Sequence, residues 1–195
     1  MEEYKDRLRK KDYFVKEIEL SDARAFIEKY HYAKGSSKTR VYCHGLFKKE
    51  DPTKLLGVTI WLPPTRVAAE SVNKMNWTKV LSLSRLAIHP DVPKNACSFL
   101  LSQSVKIIKK DGRFVSLVTY ADERQNHTGT IYKSCNWNYI GKMSGKPTWI
   151  DPLTKRQVSA KSTKNRTKQQ MLDLGYVNIG IYPKHKYVLH IGDVT

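Results

Sequence analysis

Between Val80 and Tyr120 the sequence sets a strand, a helix and a second strand in immediate succession, and that order restricts the fold more than any other feature. Val80 to His89 is a run of β-formers closed by Pro90 and Pro93. Asn95 or Ser98 can cap a helix whose apolar positions Phe99, Leu100, Val105, Ile107 and Ile108 run until Lys109-Lys110-Asp111-Gly112. Phe114 to Tyr120 then reads as a strand. Two strands joined by a helix of several turns are expected to lie parallel, with the helix crossing one face of the sheet. A polar loop, Asp122 to Asn126, and a short helix from about Thr128 to Ser134 lead into a further strand, Asn138 to Gly141.

The flanks extend this pattern. Asp12 to Leu20 alternates apolar and polar residues as a strand does, and Ser21-Asp22 offers a helix start before Ala23, Phe26, Ile27 and Tyr30. After the loop Gly35-Ser36-Ser37, the runs Arg40 to Phe47 and Leu55 to Leu62 should pair as a hairpin that Pro63-Pro64 ends. Arg66 to Asn76 reads as a short helix or loop. Near the C-terminus, Thr167 to Leu174 suggests a short helix ended by Gly175, and Val177 to Tyr182 with Lys186 to Ile191 suggests a strand pair joined through Pro183. The expectation is a single α/β (mixed α+β) domain with a central mixed sheet flanked by helices and a basic C-terminal extension. Its parts would be a core over 1–141, a basic arm over 142–175 and a strand pair over 176–195 that completes the domain.

The formal charge of +17 over 195 residues points to a polyanionic partner, because Lys and Arg gain affinity by releasing counterions from nucleic acid. The charge is concentrated beyond Gly141, where Lys142, Lys146, Lys155, Arg156, Lys161, Lys164, Arg166 and Lys168 are opposed only by Asp151. With 40% hydrophobic residues the chain can bury a core without disulfides or metals. Its three cysteines, Cys43, Cys97 and Cys135, lack paired spacing and argue for a reducing, cytoplasmic setting. No apolar run is long enough to span a bilayer and the start of the chain is charged, so neither membrane nor export is expected. Cys43, His44, His89, Cys97 and Cys135 show no ligand spacing for structural zinc, whereas a metal gathered from distant residues such as His31, Asp122 and His127 would leave no motif.

The element order resembles the Gcn5-related N-acetyltransferase fold. That resemblance implies an acetyl-CoA or related acyl donor bound at the loop Lys94, Asn95, Ala96, Cys97 and Ser98, which lacks the family's usual glycines. A narrower resemblance rests on Ser82 to Ile88 (SLSRLAI), Pro93 to Ser98 (PKNACS), Ser116 to Asp122 (SLVTYAD) and His127 to Lys142 (HTGTIYKSCNWNYIGK). These stretches, with His31-Tyr32 and Lys184 to Val188, look like the Mom family of phage proteins. The resemblance implies a phage-encoded enzyme of the bacterial host cytoplasm that places a carbamoylmethyl-type group on the N6 amino group of adenine in double-stranded DNA and so protects it from restriction.

Asp122 follows a strand end where α/β ligands bind, so its carboxylate could orient or deprotonate an exocyclic amine; equally, it could cap the next helix. Tyr132 falls where related acetyltransferases place a proton-donating Tyr, or it packs under the sheet. Arg85, in an apolar strand, calls for a carboxylate or phosphate partner, with Asp122 one option, and Ser84 should point to the opposite face. His127 is the acid/base candidate among the six histidines. His31 and Tyr32 could contact a base, while Lys155, Arg156, Lys161, Lys164, Arg166, Lys184 and Lys186 could contact DNA, with Trp149 and Tyr139 near enough to stack. Two other readings share these features: an acetyl-CoA-dependent enzyme acting on another base, a tRNA or a small amine, and a nucleic-acid-binding module without chemistry.

Overall fold

Alternating apolar positions lay down the first half of the sheet as a meander. In the computed structural model, which describes residues 7–125, 128–155, 157–158 and 166–192, the first elements are β1 (Tyr13–Glu17), α1 (Leu20–Tyr30), β2 (Tyr42–Lys48), β3 (Gly57–Leu62) and α2 (Arg66–Glu70). β4 (Val80–Ile88), α3 (Ala96–Asp111), β5 (Ser116–Asp122) and α4 (Thr130–Ser134) follow. The chain ends with β6 (Asn138–Ile150), β7 (Gln157–Val158), α5 (Lys168–Asp173) and β8 (Val177–His190). All eight strands join one sheet in the order β1-β2-β3-β4-β5-β8-β6-β7. The expected hairpin is β2 against β3, and the expected parallel pair is β4 against β5. Gly112, in the left-handed region at φ 77°, ends α3.

Both faces of the sheet are covered, and strand periodicity decides which residue meets which helix. Cys43, Val58 and Ile60 pack under α1 with Ala23, Phe26 and Ile27. The neighbours His44, Thr59 and Trp61 face α3, whose Leu100 and Leu101 are fully buried. α1 starts at Leu20, one residue before the expected Ser21-Asp22 signal, with Glu19 at the cap position and making no side-chain cap bond. Glu19 is occupied by Arg40, whose Nη2 lies 3.2 Å from its carboxylate.

The C-terminal part departs from expectation. Val177 to His190 is one strand rather than a pair, and it inserts between β5 and β6, antiparallel to both. Pro183 does not break it because the β5 ladder ends at Asp122 opposite Lys184, so on that side Pro183 has no strand to bond. On the β6 side the register shifts between Met143 and Lys146 absorb the missing donor. β6 likewise runs on from Gly141 to Ile150, so the front of the expected arm is strand. Beyond Asp122, β6 and β8 form a two-stranded ribbon against whose end α5 packs, with Trp149 and Met171 buried there.

One polar cluster lies inside the core. His44 Nδ1 is 2.6 Å from Ser104 Oγ of α3, and Trp61 Nε1 donates to Ser104 Oγ at 2.8 Å and to Thr59 Oγ1 at 3.1 Å. His44 Nε2 is buried and finds no partner among the described residues. Burial disfavours the imidazolium and pushes the His44 pKa down to about 4 from 6.5. The folded state thus prefers neutral His44, so stability is full above pH ~6.5, where the unfolded chain is also neutral, and falls as pH drops toward 4.

Two outcomes are expected. Urea unfolding at pH 7 and pH 4 should show about 3 kcal/mol more loss of stability for the protein than for His44→Gln; parallel losses in the two would contradict the burial assignment. Gly129→Ala should lower stability by about 2 kcal/mol or more, read as a drop in Tm. Gly129 sits at φ 81° and an added methyl would meet the buried Tyr187 ring inside van der Waals contact, with Tyr187 Oη held by Thr128 O at 2.6 Å.

Candidate active site

The parallel ladder between β4 and β5 covers only Val80–Ser82 against Ser116–Val118. β4 then continues to Ile88 and β5 to Asp122 without pairing with each other, and a cavity of about 460 Å³ opens between them. It is lined by residues 83–88 of β4, 119–122 of β5, the entry to α4 from Thr128 to Tyr132, the end of α1 from Tyr30 to Tyr32, and Cys97. An α/β sheet offers its ligand site at such a divergence, beyond the carboxyl ends of parallel strands.

A bulge shapes the β4 wall. Opposite β3, Arg85 pairs with Ile60 and Leu83 with Trp61, which leaves Ser84 as the extra residue. Ser84 and Arg85 both fall within the stretch of β4 that lines the cavity. Nor does Arg85 form an ion pair with Asp122. Its Nε donates to Gly35 O at 2.8 Å and its Nη1 to Ser84 O at 2.7 Å, so backbone carbonyls supply the acceptors that a half-buried guanidinium requires. Burial draws its pKa down. Arg85 thereby fastens the loop after α1 to the cavity wall.

Asp122, at the last position of β5, accepts the Arg124 N–H on Oδ1 at 3.1 Å. Capping its own turn and facing the cavity are compatible. Tyr32 lies across the opening, half-exposed and stacked on His31 with ring centroids 4.3 Å apart. Burial raises the Tyr32 pKa, the Asp122 charge adds to this, and Arg85 and Arg124 oppose it, which places all four groups in one electrostatic neighbourhood. His31 Nδ1 accepts the Ala33 N–H at 3.0 Å.

Tyr132 packs as well as lining the cavity. Its ring lies 5.3 Å from Tyr187 and 5.8 Å from Trp137, and burial pushes its phenol up to about 12 against a hydrogen bond from Thr119. Such a phenol stays protonated at neutral pH. Cys97, at the start of α3, also has its pKa pushed up to about 12 by burial and by Cys135, which makes it a poor nucleophile. Of the loop residues expected to hold a cofactor, Cys97 reaches the cavity. Asn95 spends its side chain on the N-terminal segment, accepting from Leu8 N at 2.6 Å and donating to Leu8 O at 3.4 Å. Lys94 is exposed, Ala96 N–H is taken by Pro93 O at 3.0 Å, and Ser98 Oγ donates to Asn95 O at 3.0 Å.

The expected nucleic-acid contacts scatter. Lys184 is exposed on β8 opposite Asp122, Lys155 is exposed in the turn after β6, and Arg166 precedes α5. Lys186 is not on the surface. It is 3% exposed, and its Nζ donates to Ser71 Oγ at 2.7 Å and Ser71 O at 3.2 Å, at the C-terminus of α2. The β8 alternation turns it toward α2, where the last carbonyls of a helix welcome a cation. His127, Arg156, Lys161 and Lys164 lie outside the described residues.

Beside Asp122 stands Glu123, a residue that the sequence did not single out. Glu123 lies 2.7 Å from Lys142 Nζ and 2.8 Å from His185 Nε2, while His185 Nδ1 is 2.9 Å from the Tyr139 hydroxyl. The Lys142 hydrogen bond holds the Glu123 carboxyl below its usual range. The adjacency of Glu123 and Arg124 to Asp122 was the available signal. Among the described residues no group of three or more His, Cys, Asp or Glu is gathered to hold a metal, and no helix is long and apolar enough to cross a membrane.

The architecture is that of N-acetyltransferases. The ribosomal-protein-S18-alanine N-acetyltransferase of Escherichia coli superposes with a TM-score of 0.57 at 14% identity, covering 93% of this chain and 95% of that one. An N-acetyltransferase from Staphylococcus aureus Mu50 gives 0.57 at 8% identity over 93% and 99%. A Bacillus subtilis acetyltransferase in complex with CoA gives 0.52 at 11% identity over 92% and 97%. In sequence, the methylcarbamoylase Mom of Escherichia phage Mu is 30% identical over 138 residues, 67% of this chain and 54% of that protein, so the chain spans about half the length of this relative. Residues 12–192 match the model of the Mom protein family, and with the N-acetyltransferase fold beneath that match the chain belongs to the Mom family.

Proposed function

We propose that this protein is a phage-type DNA-modification enzyme that places a carbamoylmethyl-type group on the N6 amino group of adenine and so shields the DNA from restriction. The observation that carries the reading is the cavity between the diverging ends of β4 and β5, with Asp122 and Tyr132 on its walls, in a chain of the Mom family. In duplex DNA the N6 amine is paired and stacked, so the adenine must leave the helix to enter the cavity. Asp122 then takes a proton from the attacking amine, and Tyr132, still protonated at neutral pH, supplies one to the departing group. Tyr32 and His31, stacked at the opening, offer a surface for the extruded base.

An acyl-CoA fits the donor side. Leu83 to Ile88 pair with β3 and not with β5, which leaves one edge of β4 open to an extended ligand, and the first turn of α3 points N–H groups toward the phosphates such a donor carries. A bound thioester would supply an activated acyl carbon, and attack there would give an N6-acyl adenine; a carbamoylmethyl group is joined through its methylene, so forming it would require a donor attacked at that carbon, with the bond from the methylene to the departing group breaking as the N6–CH2 bond forms. The duplex lies along the β6–β8 ribbon, where Lys184 and Lys155 are exposed and the net charge of +17 draws in the phosphate backbone.

With duplex and donor supplied to the purified protein, Asp122→Asn should lower the yield of modified adenine about 100-fold or more while duplex affinity stays the same. Equal yields would exclude Asp122 as the base. Lys184→Ala should weaken duplex binding uniformly across sequences and reduce the log–log salt slope by about 1; an unchanged slope would remove the ribbon from the DNA face.

A further inference from the structure

We propose that Arg124 is a phosphate clamp for the extruded nucleotide: it grips the phosphodiester beside the target base and holds the flipped state while the base occupies the cavity. The inference rests on the DNA-base-modifying reading above and adds to it the group that captures the backbone. Arg124 lies two residues beyond Asp122, in the short turn Glu123–Gln125 that ends β5. Its own N–H bonds the Asp122 carboxylate at 3.1 Å, which fixes the start of its side chain relative to the cavity rim.

The neighbouring carboxylate is not available to it. Glu123 is committed to Lys142 at 2.7 Å and His185 at 2.8 Å. Among the described residues Arg124 makes no ion pair; its Nη1 donates to the neutral Gln157 Oε1 at 3.3 Å, and its guanidinium lies 6.0 Å from the Tyr182 ring. Among the described residues one side-chain acceptor engages this planar fork of five donors, whose geometry suits two phosphate oxygens at once. Gln157 belongs to β7 and Tyr182 to the ribbon, so the fork stands where the cavity rim meets the surface proposed for the duplex. Its field reaches Tyr32 on the cavity wall together with that of Arg85. Both guanidinium groups are partly exposed, but Arg85 is bonded to two backbone carbonyls, whereas Arg124 has one described side-chain acceptor, the neutral Gln157. A base that enters the cavity leaves its sugar and phosphates at the mouth, and Arg124 follows the lining Asp122 by two residues, within reach of that mouth.

The test uses the full-length protein and a duplex carrying 2-aminopurine at the target adenine, whose fluorescence rises on unstacking, with methylphosphonates placed in turn at the phosphates on its two sides. The wild-type protein should raise the fluorescence, and Arg124→Gln should lower the extruded population about 10- to 100-fold while overall duplex affinity changes far less. Arg124→Lys, which keeps the charge but loses the fork, should fall between them and guards against a folding defect in the Gln variant. One methylphosphonate should weaken extrusion by the wild-type protein and leave Arg124→Gln unaffected. The clamp is overturned if Arg124→Gln extrudes the base as the wild type does, if the methylphosphonates penalise both proteins equally, or if the variant loses affinity for CoA instead. If the wild-type protein neither unstacks the probe nor modifies adenine, the base-modification reading itself fails, and the clamp with it.

Discussion

The structure turns on a ladder that stops early. β4 and β5 share three residue pairs, Val80–Ser82 with Ser116–Val118, and then diverge. Had the ladder continued, Leu83–Ile88 and Thr119–Asp122 would have bonded each other and the sheet would carry no cavity. The divergence is stabilised from both sides. The bulge at Ser84 bends β4, and β8 takes up the far edge of β5 with seven pairs from Ser116–His190 to Asp122–Lys184. Unpaired backbone groups are costly when buried, so the open edges between the strands favour an extended polar ligand that can bond them.

Around that gap, long cationic side chains act as fasteners. Arg85 ties the loop after α1 to the wall, and Lys186 ties the end of α2 to β8 through Ser71. Each buries its charge on carbonyl or hydroxyl oxygens instead of a carboxylate, an arrangement that costs desolvation and lowers both pKa values. A chain with +17 formal charge thus spends some of its cations internally. Lys184 and Lys155 remain exposed.

Much of this was legible from local pattern. The strand–helix–strand unit, the hairpin, and the stops at Gly112 and Gly175 follow from periodicity and turn chemistry, which act over a few residues. Asp122 was singled out by its position at a strand end and Tyr132 by the resemblance to acetyltransferases, and both line the cavity. What escaped depends on contacts distant in sequence. The ribbon looked broken at Pro183 because a proline disrupts a central strand, and only the end of β5 at Asp122 shows that Pro183 lies past the sheet on that side. The burial of Lys186 depends on α2, 115 residues earlier. Arg85 does not take Asp122, one of the partners open to it, because Gly35, 50 residues away, offers a carbonyl. The roles of Glu123 and His185 emerge only once β6 and β8 lie side by side.

The central claim is that the gap between β4 and β5 receives an adenine drawn out of DNA and alters its amino group. Mass spectrometry of nucleosides from plasmid DNA co-expressed with this protein tests it most directly. The account predicts a new deoxyadenosine species carrying the mass of a carbamoylmethyl group, absent when Asp122→Asn is expressed at the same level. Unmodified deoxyadenosine beside a folded, abundant wild-type protein would contradict it.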